Sequence, residues 1–352
     1  MIKEYCFGEN YSSGLYLIDS NILIALGNFY YKGKCTPKEL TQEIRKFIMK
    51  ARLYGIDNEF SIIELCYDYN TNELNNEAMQ KLMIAYDNLT EVMQEKEIEN
   101  HKGVGDIFIH NKKKQVKKYN SIYESKFPSF LLRKETEEIK TLFYVMYLYM
   151  LKIYQLKRER SMKPLEKINN LFEFMTNEID VLLSSEFFMA TLLFIGEHNE
   201  KKIAEKIFKP KQTPELKDIL NGLMDLFQYR MAMLIAQKSE EIEEPIFVKF
   251  VTADKALYDF ISRSYGYSLI ISKNMMTPIN TYEFQVEEKY KDEWKKYFEK
   301  TLEPIMKKRL VESHERKRKL PSNFKNLLKE NIVLLENSMR LFQVLCKHKK
   351  LI

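Results

Sequence analysis

A chain of 352 residues with 45% hydrophobic and 13% aromatic residues is long and apolar enough to bury a substantial core, which excludes a disordered polypeptide. Its formal charge of +6, from 56 basic and 50 acidic residues, would mean little if spread evenly. It is concentrated in the runs "NKKKQVKK" (residues 111–118), "KRER" (157–160) and "KKRLVESHERKRK" (307–319), a pattern that suits a polyanionic partner or simply a set of solvated helix faces.

Only 10 Gly and 9 Pro occur, so the chain is expected to be mostly helical. Cys6, Cys35, Cys66 and Cys346 show no CxxC spacing, and a reduced, cytoplasmic protein is the simplest account. The start, "MIKEYCFGEN", has no apolar signal core. The longest apolar run, "TLFYVMYLYML", falls short of the ~20 residues that span a bilayer, so it is expected as a buried helix and no membrane partner is expected.

In chain order, residues 15–18 read as a short buried strand and a helix opens at Ile22, with Asp19, Ser20 and Asn21 at the seam. Residues 36–55 predict a helix capped by Thr36, with Pro37 at its first position, Glu39 completing a capping box and Gly55 at its end. A short extended segment, "IDNEF", precedes a helix from Ser61 to Tyr69, with Ser61 as its cap. From about residue 75 to 210 only helical periodicity occurs, broken at "HKGVGD" and "RSMKP". The glycine pair in the first break lacks the preceding strand and following Lys-Ser/Thr of a phosphate loop, so it reads as a loop between helices. Residues 213–237 predict a further helix. A strand follows over 246–251, then a polar corner, a helix over 255–264 and a last strand over 267–272. Beyond Pro278 the chain is expected to be helical and highly charged.

Strands at both ends of a helical chain predict one parallel sheet assembled from the two ends, since two-stranded pairs are unstable alone. The expected divisions are 1–75 and 211–278 for the two halves of the core, 76–210 for a helical insertion and 279–352 for a charged helical extension. Open parallel sheets bind ligands at the carboxyl ends of their strands. Asp19 follows the first predicted strand, Asp254 follows the strand ending at Val251, and Glu64 lies one turn into the helix after "IDNEF". Asp225 joins them from a stripe with Gly222, Tyr229, Ala232 and Ala236, whose small members permit close approach; Asp218 on the same stripe is a reserve. Helix capping is the competing account for Asp19 and Asp254 taken singly. Grouped carboxylates need a cation, and hard oxygen ligands without nearby His or Cys point to Mg²⁺ or Mn²⁺. Acids, a hard cation and basic runs together point to phosphodiester hydrolysis.

Taken in order, "LIDSN" (17–21), "SIIEL" (61–65), "DLFQYRMA" (225–232) and "FVTADKAL" (250–257) resemble the motifs of the PIN-domain nucleases, over about 150 residues. The resemblance implies a three-layer α/β/α parallel sheet, a pocket holding Mg²⁺ or Mn²⁺, and cleavage of RNA to 5′-phosphate and 3′-hydroxyl products. Carried onto this chain it makes Asp19, Glu64, Asp225 and Asp254 the catalytic metal ligands. Ser20, Asn21, Ser61 and Thr252 support the pocket, with Thr252 orienting a ligand or water.

The cations Lys112, Lys113, Lys114, Lys117, Lys118, Arg158, Arg160, Arg316, Lys317 and Arg318 are the expected RNA-binding set. Tyr119, Tyr123 and Phe127 either stack on bases or belong to a core. Two other readings stay open: a catalytically silent scaffold that binds RNA or a protein partner or inhibitor, and a nuclease directed at DNA.

Overall fold

The computed structural model describes residues 1–7, 11–68, 73–105, 137–209, 215–239, 245–272, 275–312 and 323–338. The first half of the chain forms β1 (Lys3–Phe7), β2 (Gly14–Ile18), α1 (Ser20–Lys32), α2 (Lys38–Ala51), β3 (Gly55–Asp57) and α3 (Glu59–Cys66). The two-residue strands β4 (Tyr67–Asp68) and β5 (Glu73–Leu74), then α4 (Asn76–Asp87) and α5 (Glu95–Glu99), follow. Next come α6 (Glu137–Arg158), α7 (Pro164–Glu173), α8 (Ser184–Ile195), α9 (His198–Phe208) and α10 (Leu216–Ser239). The remainder is β6 (Phe247–Thr252), α11 (Lys255–Ile261), β7 (Ser264–Ser272), β8 (Met275–Tyr282), α12 (Lys291–Tyr297), α13 (Glu303–Val311) and α14 (Phe324–Ser338). The fold is mixed α/β and mostly helical. Two compact units divide it: Met1–Lys140 with Gln228–Tyr258, and Thr141–Phe227 with Asp259–Ile352.

The first unit holds a four-stranded sheet in the order β1-β6-β2-β3, drawn from both ends of the chain as expected. β2 runs parallel to β6 and β3, with Ile18 beside Val251 and Leu17 beside Asp57. β1 lies antiparallel to β6 and gives the sheet an edge that the sequence reading did not anticipate. β2 is central and needs apolar residues on both faces, which explains the unbroken "LYLI". Gly14 is required where the strand begins, because a Cβ there would stand 2.0 Å from the Phe247 ring. Tyr16, Ile18, Ile22, Leu26, Phe29, Ile44 and Ile48 form one core that binds α1 and α2 to the sheet.

Residues 101–105 of the "HKGVGD" break run over the end of α1, where the Val104 and Gly105 amides donate to the Tyr30 and Tyr31 carbonyls at 3.0 Å each; Asp106 and the helix expected after it lie outside the described residues. Gly33, at φ 68°, closes α1 there, and a Cβ on it would meet the Lys102 carbonyl at 2.2 Å. Close backbone approach explains Gly33 and Gly103, where a Cβ on Gly103 would stand 2.6 Å from the Gly33 nitrogen, and a φ of 69° accounts for Gly105.

Several boundaries differ from expectation for physical reasons. α1 begins two residues early, because the Asp19 carboxylate caps it. α2 begins at Lys38 with Pro37, not Thr36, at the cap, and Gly55 opens β3 instead of ending that helix. Ser61 lies inside α3, which starts at Glu59. The segment 267–272, expected as the last strand of the main sheet, is part of β7, which pairs antiparallel with β8 in a separate ribbon. A connection of two residues favours that local antiparallel pairing over a crossover into a distant sheet. β8 also runs to Tyr282, beyond Pro278 where helix was expected; helices follow from residue 291.

In the second unit every residue of α8 is buried, Glu186 included, as its largely apolar sequence leads one to expect. Gly222 of α10 sits against α9, where a Cβ would lie 2.6 Å from the Ile207 carbonyl. This is the close approach that the small-residue stripe predicted. Among the described residues no helix is long and apolar enough to cross a membrane.

Candidate functional site

Two neighbouring parallel strands end side by side in the first unit, and each delivers an acid. The Asp19 amide donates to the Val251 carbonyl at 2.9 Å, so the chain leaving β2 stays bonded to β6 up to the point where α1 begins. Asp19 Oδ1 accepts from the Ile22 amide at 2.9 Å, and the residue is only 2% exposed. At the end of β6 the buried Thr252 hydroxyl donates to Asp19 Oδ2 and accepts from the Asp254 amide, the latter at 2.9 Å. One hydroxyl thus links both acids. Asp254 Oδ1 in turn accepts from the amides of Ala256 and Leu257 at 2.7 and 3.1 Å, at the start of α11.

The third acid arrives through α3. The Ser61 hydroxyl donates to the Ile18 carbonyl at 2.5 Å and ties the first turn of α3 to the end of β2. Glu64 lies three residues on, and i,i+3 positions share a helix face. Its Oε2 accepts from Gln228 Nε2 of α10 at 2.7 Å. Asp57, at the end of β3, is a fourth acid at this end of the strands, and it serves the Glu59 amide at 2.8 Å.

Burial pushes the Asp19 carboxyl up to about 6, against hydrogen bonds from Thr252, the Ile22 amide and Asn21, with the Asp254 charge adding to the rise. Water has been removed from a carboxylate beside a second carboxylate, and no cationic side chain is among these influences.

Ser20 is buried and opens α1, while Asn21 is exposed. Asp225 is buried, as its stripe predicted, in the part of α10 that belongs to the second unit. Asp218, the reserve, accepts from the Glu215 amide at 3.0 Å and so acts at its own helix start. Among the described residues no group of three or more His, Cys, Asp or Glu side chains is gathered closely enough to hold an ion. The donor chemistry still fits a hard cation in part. Mg²⁺ commonly binds through one or two carboxylates and keeps several waters, and Asp19 with Asp254 supplies such a pair.

Lys112, Lys113, Lys114, Lys117 and Lys118, and Arg316, Lys317 and Arg318, lie outside the described residues, as do Tyr119, Tyr123 and Phe127. Arg158 and Arg160 are exposed around the end of α6. In the described part of the third run Lys307 pairs with Glu303 at 2.7 Å, and Arg309 with Asp180 at 2.7 Å. Those two cations answer internal acids.

Gln228 was missed in the sequence. It is 1% exposed, and its only signal was a position one helical turn after Asp225. Comparison of the chain with protein-family models, with curated proteins and with solved structures found no match.

Proposed function

We propose that the chain is a metal-dependent phosphodiesterase with a PIN-like core, acting on RNA through Asp19, Asp254 and Glu64. The observation that carries this reading is the Thr252 hydroxyl shared between Asp19 and the Asp254 backbone at the ends of two adjacent parallel strands. Capping uses one oxygen of each aspartate, and a carboxylate has about four lone-pair sites, so capacity for a ligand remains. A Mg²⁺ or Mn²⁺ ion bound there would neutralise charge on a phosphate and lower the pKa of its water. The protein's own contribution is orientation. Thr252 holds Asp19, the turn at α11 holds Asp254, and Ser61 fixes the helix that bears Glu64. Asp225, expected as a fourth ligand, is assessed by its own Asn variant. The exposed Arg158 and Arg160, with the basic runs, are proposed to meet the RNA backbone.

Labelled single-stranded RNA and DNA incubated in parallel with Mn²⁺, with EDTA, and with the Asp19→Asn variant test the reading. Cleavage of RNA that requires Mn²⁺ and vanishes in the variant is expected; undiminished cleavage by the variant defeats it. A silent scaffold is the second reading, favoured by the capping roles of both aspartates and by the absence of a three-acid group among the described residues. Calorimetric titration of Mn²⁺ separates the two, since the scaffold predicts no heat that depends on Asp19.

A further inference from the structure

Asp19 and Asp254 repel any phosphate that approaches them, so a polyanion settles at these strand ends only where a protein cation stands nearby. The edge strand β1 brings one. Lys3 is the register partner of Thr252, the residue whose hydroxyl joins Asp19 to the Asp254 amide. Opposed residues of an antiparallel pair project from the same face of a sheet, so Lys3 and Thr252 leave their strands side by side. The Lys3 ammonium lies over the ring of Tyr258, 5.4 Å from its centroid. Tyr258 stands on α11 one turn after Asp254, and its amide donates to the Asp254 carbonyl at 3.1 Å. Lys3 and Tyr258 belong to the first compact unit, as do both acids, and each is half-buried.

Lys50 and Lys249, which also lie against this sheet, both pair with Glu4, at 2.8 and 3.3 Å. Lys3 has no ion pair among the described residues, although two aspartates stand at the same strand end. An aromatic face attracts an ammonium through its quadrupole without neutralising it, so the charge stays available to an anion from outside. We propose that Lys3 binds a phosphate of the RNA backbone beside Asp19 and Asp254, and that the Tyr258 ring is the positioning residue that holds its ammonium there. The inference rests on the phosphodiesterase reading and deepens it with a substrate contact that needs no bound metal. It also gives β1 a role beyond closing the edge of the sheet.

The test uses the full chain in EDTA and a labelled oligo(U) as the probe, with affinity read by fluorescence anisotropy at several salt concentrations. Each phosphate neutralised on a single strand contributes ~0.7 to the slope of log affinity against log salt. Lys3→Gln should therefore flatten that slope by ~0.7 and weaken binding about fivefold at ~0.1 M salt. Lys3→Arg keeps the charge and should keep the wild-type slope. Tyr258→Leu should weaken binding by about two- to fivefold, the worth of an exposed cation–π contact, and Tyr258→Phe, which retains the ring face, should match wild type. A lysine that merely clamps β1 to α11 gives another pattern. Its Gln variant melts lower, yet the salt slope is unchanged and affinity stays within twofold of wild type, and that overturns the inference. If the wild type still cleaves RNA in Mn²⁺, the phosphodiesterase reading survives that outcome. Lys3-dependent binding by a chain that never cleaves does the opposite, removing the reading and keeping the phosphate contact. Absence of oligo(U) binding by wild type overturns the inference whatever the cleavage assay gives.

Discussion

Replacing Asp19 with Asn removes a buried charge and leaves the shape of the side chain almost unchanged. In the folded chain the carboxyl titrates at about 6, against an ordinary 3.8, because burial outweighs three hydrogen bonds. Between those two values the folded state holds more protons than the unfolded state. Stability therefore falls as pH rises through this window, and the penalty is complete above about pH 6.5. At 1.36 kcal/mol for each pKa step the full effect is ~3 kcal/mol. Asn is as good an N-cap as Asp, so the bond from the Ile22 amide survives. The Thr252 hydroxyl has to turn to face an amide, at a cost of about 1 kcal/mol. In EDTA at pH 8, Asp19→Asn should then be more stable than wild type by ~2 kcal/mol, and near pH 4, where most of the charge penalty is gone and the ~1 kcal/mol Thr252 cost remains, it should be slightly less stable. Urea unfolding followed by far-ultraviolet circular dichroism at several pH values measures the difference. Other raised carboxyls, Asp57 and Glu336, are common to both proteins and cancel. Mn²⁺ should reverse the order by stabilising only the wild type. A variant less stable than wild type at pH 8 in EDTA, or a stability difference that does not change with pH, would refute the electrostatic account of Asp19.

In the second unit, burial pushes the Glu336 carboxyl up to about 7 while it accepts from the Tyr147 hydroxyl at 2.8 Å. Glu336→Gln should remove a loss of stability that develops between about pH 4.5 and 7. Tyr147→Phe should destabilise the chain at pH 8 by ~1–3 kcal/mol, as the remaining carboxylate loses its donor; both are read from urea midpoints. Gly222→Ala adds a methyl group 2.6 Å from the Ile207 carbonyl and 3.1 Å from Met150 Cε. That overpacking should cost ~1–3 kcal/mol in thermal or urea unfolding, and a neutral result would mean that α9 and α10 separate readily. Affinity for a labelled single-stranded RNA, measured with Ca²⁺ in place of Mn²⁺, should fall linearly in log–log form with added salt, and a flat response removes the basic runs from substrate binding.

Local patterns carried far along this chain. The apolar run at 15–18, the acid after it and the matching "FVTAD" stretch were enough to place two strands of one sheet and the acids at their ends, because parallel central strands must be apolar on both faces. The small residues around Asp225 announced a close helix contact, which Gly222 makes with Ile207. The HKGVGD loop was legible because it lacked the strand and lysine that a phosphate site needs.

Pairing and partnership were decided elsewhere. Lys3–Phe7, as long as β2 but mixed in polarity, does not announce itself as a strand until β6 offers it an edge, and Ser264–Ser272 pairs with its neighbour β8 instead of the main sheet. The resemblance put Thr252 in the same pocket as Asp19, but nothing in the sequence fixes its hydroxyl on that carboxylate, 233 positions away. Nor does the spacing of α10 reveal that Gln228 would meet Glu64, 164 positions distant. Periodicity and capping act within a few residues, so the sequence states them directly; a hydrogen bond between remote side chains exists only once packing has fixed both backbones.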